Sequence, residues 1–411
     1  VYAALYDYTR GEGKAFDHIL VRHEQCAVHA AEGFARVSGE VGTVLVTSGP
    51  GVAKTLTGVA DAQIDSTPIV VIAGQVGVNV LGTDAFQEVD LITVVQPICK
   101  WVYQIRRPED IPWAVSKAYY LARSGRPGPV VLDFPKNAQT GKCKYVPTAV
   151  NFVRSYIAFP APKEDALKAA AELINKAQKP LALVGQGVEL GNAQEELKAF
   201  LEKGNIPAGR TMLGLSALPS SHPLNVGMLG MHGNLAPNLK QQEADVIIAI
   251  GMRFSDRVTG NLQTYLKQAK VIHLDIDNAE IDKNVKTDVA IVADCKESLP
   301  RLTELINEAN HQEWIDSFKP LQEREIKRVV EKAIHPKECK LLMGEVVNAV
   351  AEATQGNGVT VTDVGQNQLF TTRYSKFNTP RSIITSGGLG TMGYGLPAEI
   401  GATFAEKNRP V

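Results

Sequence analysis

The sequence is short of cysteine, of long apolar runs and of any surplus of one charge. Its five cysteines (Cys26, Cys99, Cys143, Cys295, Cys339) are odd in number, scattered, and form no CxxC pair. That argues against a disulfide framework or a zinc site, and it fits a reducing, cytoplasmic setting. No apolar run reaches the ~18 residues that a membrane span needs. With 43 Lys and Arg against 44 Asp and Glu, the formal net charge is −1, so neither nucleic acid nor an acidic membrane is expected as a partner. The chain also lacks an initiator Met and opens in an apparent helix, VYAALYDY, which is compatible with a removed leader.

What remains is an ordinary globular composition, 44% hydrophobic and 21% charged over 411 residues, enough for two or three domains. The stretch that organises the chain is Val21–Gly39, VRHEQCAVHAAEGFARVSG. HILVRH (18–23) reads as a short strand. From Gln25 a helical pattern follows, with Ala27, Val28, Ala31, Phe34 and Ala35 on one face. Glu24 stands where strand meets helix, and in open α/β sheets ligands collect at the carboxyl ends of strands. A carboxylate among small residues there would be poorly solvated, with a raised pKa. A helix-start acid favouring the macrodipole is the plainer reading of the same residue.

Strand and helix then alternate to about residue 140: TVLVT (43–47), the turn Ser48-Gly49-Pro50-Gly51, a helix through Asp65, IVVIA (69–73) and VVLDF (130–134). That order predicts a parallel sheet with right-handed crossovers. The SGPG turn lets backbone approach a ligand closely, but it lacks the GxGxxG or GxxxxGK[ST] spacing. The polar loop LGTDAFQEVD (81–90) would line a site. After a Pro-containing linker (141–160), LALVG, VIIAIG, VIHLDID and VAIVAD each end in Gly or Asp, as a nucleotide-binding sheet would and as ordinary turns also do. A charged helical connector leads to a third α/β unit with VTVTDVG and IITSGG. AEGFARVSGEVGTV (31–44) aligns without gaps on AEIGATFAEKNRPV (398–411), an internal repeat. The fold class expected is therefore α/β, three doubly wound parallel-sheet domains at 1–145, 160–310 and 335–411, the third truncated.

The motifs RHEQCAVHAAEGFARVSG, TSGPG, GTDAFQE, SGRPGPVVLDFPK, MLGMHGN, GMRFSDRVTG, DVGQNQ and TSGGLGTMGYGLP together resemble the catalytic subunits of the acetolactate synthase (acetohydroxyacid synthase) family. RHEQ and TSGPG belong to thiamine-diphosphate (ThDP) enzymes widely; the others are narrower. The resemblance implies a pyrimidine-binding domain, a middle FAD-carrying domain and a diphosphate-binding domain. It implies that Glu24 hydrogen-bonds the aminopyrimidine nitrogen, that Pro50 touches that ring, and that Phe86, Gln87 and Lys136 line the substrate pocket, Gln87 taking part in catalysis. Val364, Gly365 and Gln366 would approach the diphosphate, with Gly390 and Met392 beside the bent cofactor. For FAD it implies Arg126, Gly185, Gly187, Thr211 and His232, then Gly251, Arg253 and Arg257, and the aspartates Asp275, Asp277 and Asp294. The reaction implied is decarboxylation of pyruvate and transfer of the hydroxyethyl unit to a second 2-oxo acid, in branched-chain amino-acid synthesis.

Mg²⁺ would accompany the cofactor's diphosphate, yet the family's GDG…N metal motif is not found in these residues, so no metal ligand is expected in this chain and the fragment is expected to be inactive. A homodimer or homotetramer is implied, with a small regulatory subunit possible. Cys26, Lys54 and Asn367 stand where the family has Gly, Asn and His. The alternatives are a pyruvate oxidase or glyoxylate carboligase type of enzyme, or an inactive relative. Glu24 argues against the carboligase, and GTDAFQE with Met392 against the oxidase.

Overall fold

The computed structural model describes residues 1–10, 15–336 and 341–411. The chain is α/β, and the three sheets formed by the described residues are parallel. By contacts the described residues divide into two compact units, Val1–Tyr156 with Gly388–Ala405, and Ile157–Gly387 with Glu406–Val411.

In the first unit β1 (Gly42–Val46), β2 (Ile69–Gln75), β3 (Trp101–Gln104) and β4 (Pro129–Pro135) form a sheet of order β1-β2-β4-β3. Strand alternation sends Ile69, Val71 and Ala73 to a core shared with Val28 and Ala31 of the Glu24–Ser38 helix and Val59 and Ala62 of the Leu56–Ile64 helix. Val70, Val130 and Leu132 point the other way, onto Ala114, Ala118 and Leu121 of the Ile111–Arg123 helix. Both faces are covered, which is why these strands read as continuous apolar runs. The second unit holds β5 (Pro180–Val184), β6 (Ala208–Arg210), β7 (Asn225–Met228), β8 (Val246–Ile250), β9 (Lys270–Asp275) and β10 (Val289–Val292), in the order β10-β9-β8-β5-β6-β7. Counted from β5, that is the 3-2-1-4-5-6 order of a dinucleotide-binding fold, with its switch point between β5 and β8. A further pair, β11 (Thr360–Val361) and β12 (Ile383–Ile384), lies in the same unit.

One expectation needs correction. HILVRH (18–23) is not a strand: the first sheet ends at β1 and β3, and no strand pairs with this segment among the described residues. Ile19 and Leu20 are exposed, so its apolar centre has no core to enter. Conversely, WVYQ, AGR and NVGM do form strands (β3, β6, β7). Their mixed composition gives no run to read, and sheet pairing decides their conformation. The four cysteines among the described residues are free, and Cys339 lies outside those residues. No helix among them is long and apolar enough to cross a membrane.

The two copies of the internal repeat pack on each other. A Cβ on Gly33 of the Glu24–Ser38 helix would run into the Ala398 carbonyl of the Gly395–Ala405 helix, and one on Gly401 into the Ala30 carbonyl. Glycine at both positions lets the helix backbones touch.

Candidate active site

The carboxyl edge of the first sheet gathers three segments. After β1 comes the Ser48–Gly51 turn, after β2 the loop carrying Phe86 and Gln87, and after β4 Lys136, exposed at the first position of a short helix. Glu24 opens its helix behind an N-cap in which His23 Nδ1 accepts a hydrogen bond from the Gln25 N–H at 3.2 Å. The Glu24 carboxylate leans over the turn, its Oε1 lying 3.7 Å from where a Cβ on Gly51 would stand. From the other side Gln87 docks against Gly49, for a Cβ there would meet Gln87 Cα at 2.8 Å. Gly49 has φ 58°, which suits glycine, and Gln87 holds φ 61°, which does not. Pro50 lies exposed between them, and Phe86 is 89% exposed.

The sequence leads one to expect Glu24 among mostly small residues. Instead the Lys54 ammonium lies 3.6 Å from Glu24 Oε2, and the Glu24 side chain is half-buried.

Beneath this edge Asp133 of β4 is fully buried, and Gln104 Nε2 donates to its Oδ2 at 2.6 Å. Its Oδ1 has no hydrogen-bond partner, and burial pushes its pKa up to about 6. Gln75, at the end of β2, donates to the Val89 carbonyl at 2.8 Å and anchors the far end of the loop that carries Phe86 and Gln87.

Sequence reasoning missed a buried polar cluster in the same unit. His29 Nδ1 lies 2.9 Å from Glu32 Oε1, Arg36 donates to Asp65 at 2.7 Å and to Thr67 at 3.2 Å, and the His29 and Tyr394 rings stand 5.1 Å apart. His29, Glu32 and Asp61 bring ligand-type atoms within 4.8 Å of one another. Burial, and after it the charge of Asp61, raises the Glu32 pKa well above the usual range. Three carboxyl groups facing one guanidinium are satisfied by a retained proton. The signal was available: Glu32 and Arg36 fall on the helix face that also carries Val28, Ala31 and Ala35.

Gly390 (φ 71°) and the exposed Met392 belong to the first unit, whereas Val364, Gly365 and Gln366 belong to the second. Gly365 has φ 111° and precedes the Gln366–Tyr374 helix, and a Cβ added to it would meet nothing within 4 Å. An open backbone at a helix N-terminus fits a phosphate. In the second unit each residue expected around FAD follows the carboxyl end of a strand: Gly185 and Gly187 after β5, Thr211 after β6, His232 after β7, Gly251, Arg253 and Arg257 after β8, Asp275 and Asp277 on and after β9, Asp294 after β10. The donor set fits a dinucleotide at the switch point. Several of these residues also have structural work. A Cβ on Gly187 would meet Gly251 Cα at 2.6 Å, Asp277 caps the turn at Ala279, and Asp294 caps the Cys295–Leu305 helix. Arg126 lies in the first unit, where it donates to Ser66 Oγ at 2.9 Å.

Comparison with known proteins gives first the class. The chain matches the models "Thiamine pyrophosphate enzyme, N-terminal TPP binding domain" over residues 2–94, "Thiamine pyrophosphate enzyme, central domain" over 167–302 and "Thiamine pyrophosphate enzyme, C-terminal TPP binding domain" over 363–411. It is 43% identical over 400 residues to the acetolactate synthase large subunit of Lactococcus lactis, covering 97% of this chain and 68% of that protein. It is 41% identical over 408 residues to the acetolactate synthase isozyme 3 large subunit of Escherichia coli, covering 98% and 70%. To the large subunit of Buchnera aphidicola from Schizaphis graminum it is 42% identical over 407 residues, covering 98% and 70%. The chain belongs to the acetolactate synthase large-subunit family of ThDP enzymes.

Proposed function

We propose that this chain is the catalytic part of an enzyme that decarboxylates pyruvate and transfers the hydroxyethyl unit to a second 2-oxo acid, pyruvate or 2-oxobutyrate. The observation that carries the reading is the meeting of Glu24 and Gln87 on either side of the Gly49-Pro50-Gly51 turn at a parallel sheet's carboxyl edge. ThDP supplies the nucleophilic carbon and the electron sink. Glu24 shares a proton with the aminopyrimidine nitrogen, Pro50 supports that ring, and Gly390 and Met392 flank it. Phe86, Gln87 and Lys136 hold the 2-oxo acid, the lysine opposite its carboxylate. Val364, Gly365 and Gln366 contact the diphosphate, which Mg²⁺ accompanies. Domains at 1–145, 160–310 and 335–411 carry pyrimidine, FAD and diphosphate in turn, and the flavin has a supporting role. A homodimer or homotetramer in the cytoplasm, with a small regulatory partner, completes the reading; the relatives' designation as large subunits supports that partner.

The test is Glu24→Gln in the holoenzyme. A general acid–base group is worth roughly 10²–10⁴ in rate, so acetolactate formation should fall by at least that lower bound while the melting temperature holds. Retention of more than about a tenth of kcat would remove Glu24 from the role.

A further inference from the structure

The loop that carries Phe86 and Gln87 has an unfavourable backbone. Asp84 and Gln87 hold φ values of 58° and 61°, and Gly82 has φ 79°. Non-glycine residues persist there only when their surroundings over-determine them. One side chain supplies a large part of those surroundings. Glu88 turns its carboxylate back into its own loop, accepting from the Gly82 N–H through Oε1 and from the Ala85 N–H at 2.9 Å through Oε2. Its own N–H donates to the Ala85 carbonyl at 2.9 Å. These backbone donors hold the Glu88 pKa below the usual range, so it remains a carboxylate across working pH. The next residue is pinned by Gln75. Between the two anchors Gln87 has its backbone against Gly49.

We propose that Glu88 is a positioning residue for the 2-oxo acid: its carboxylate clamps the 82–88 loop and so keeps Gln87 docked on the Gly49 turn with Phe86 beside it. This rests on the assignment of Phe86 and Gln87 to the substrate side. Glu88 touches neither substrate nor cofactor and acts through Gln87. Holding a loop within a fraction of an ångström matters because a misplacement of about 1 Å can cost on the order of 10²-fold in rate.

The experiment is a kinetic comparison in the holoenzyme of Glu88→Ala, Glu88→Gln, Phe86→Ala, Gln87→Ala and the double variant Glu88→Ala/Gln87→Ala. Glu88→Ala should lower kcat/KM for pyruvate at least about tenfold, mostly through KM. The ThDP concentration for half-activation should stay within about twofold, as expected of a loop that leaves cofactor contacts intact. Glu88→Gln, with one acceptor oxygen for two donors, should fall between. In the Gln87→Ala background, Glu88→Ala should add little, because residues acting through one another are non-additive. An unchanged KM in both Glu88 variants, or full additivity with Gln87→Ala, overturns the clamp. If Phe86→Ala and Gln87→Ala themselves leave pyruvate kinetics unchanged, the substrate-side assignment fails first and takes the clamp with it.

Discussion

Lys54 Nζ and Glu24 Oε2 lie 3.6 Å apart, which places a cation against the acid on which the proposed chemistry turns. The lysine is half exposed, so water and salt screen the pair. Exposed ion pairs of this kind contribute about 0–1 kcal/mol. In its proposed role Glu24 would exchange this partner for the aminopyrimidine nitrogen.

Lys54→Met should therefore tighten ThDP binding by a factor of up to about five, the equivalent of 1 kcal/mol. The gap from the parent should narrow as ionic strength rises. Cofactor titrations followed by activity at two salt concentrations measure both effects. A loss of affinity in the variant would mean that the lysine assists the cofactor rather than competing with it.

Asp133 sets a pH dependence of stability. Burial raises its pKa from 3.8 to about 6, whereas in the unfolded chain it keeps the ordinary value of about 3.9. The folded state thus binds the proton more tightly. Stability from this group is highest below about pH 4 and is lost as pH rises through 4 to 6. Two pKa units correspond to about 3 kcal/mol. Asp133→Asn retains an acceptor for Gln104 and cannot ionise. Its advantage over the parent in denaturant unfolding should be near zero at pH 4 and grow to as much as about 3 kcal/mol at pH 7 to 8. An advantage independent of pH would show that burial does not shift the Asp133 carboxyl away from its unfolded value.

The cluster at Glu32 should respond asymmetrically. With its pKa raised well above the usual range, Glu32 is held as the acid, so Glu32→Gln replaces like with like and should change unfolding free energy by less than about 1 kcal/mol at neutral pH. Arg36→Met removes the guanidinium that pairs with Asp65 and strands that carboxylate in a dry interior, at a cost of about 3–5 kcal/mol. Urea midpoints of the two variants check the contrast. A Glu32→Gln protein as unstable as Arg36→Met would mean that Glu32 is ionised.

Much of the fold was legible because the signals were local. Apolar runs bounded by Gly, Pro and Asp marked the strands β1, β2, β4, β5, β8, β9 and β10, and the three- and four-residue spacing of Val28, Ala31 and Ala35 marked the helix after Glu24. The motifs RHEQ, TSGPG and GTDAFQE placed Glu24, Pro50 and Gln87 around the strand ends of a parallel sheet, and alternation of strand and helix is sufficient to bring such ends to one edge.

Tertiary structure decided whatever depends on a partner distant in sequence. HILVRH has the composition of a strand but no strand to pair with among the described residues, and WVYQ, AGR and NVGM become strands because neighbours exist. Lys54 is an ordinary solvated side chain by its sequence and a competitor for Glu24 only once the turn at Gly49–Gly51 folds it back. Glu32, Asp61, Asp65, Arg36 and Tyr394 come from three separate segments, and no periodicity tells how many charges will share one dry space or which will keep its proton. Secondary structure follows from torsional preference and periodicity, which a chain carries residue by residue. Electrostatics follows from distance and solvent exclusion, and those exist only after packing.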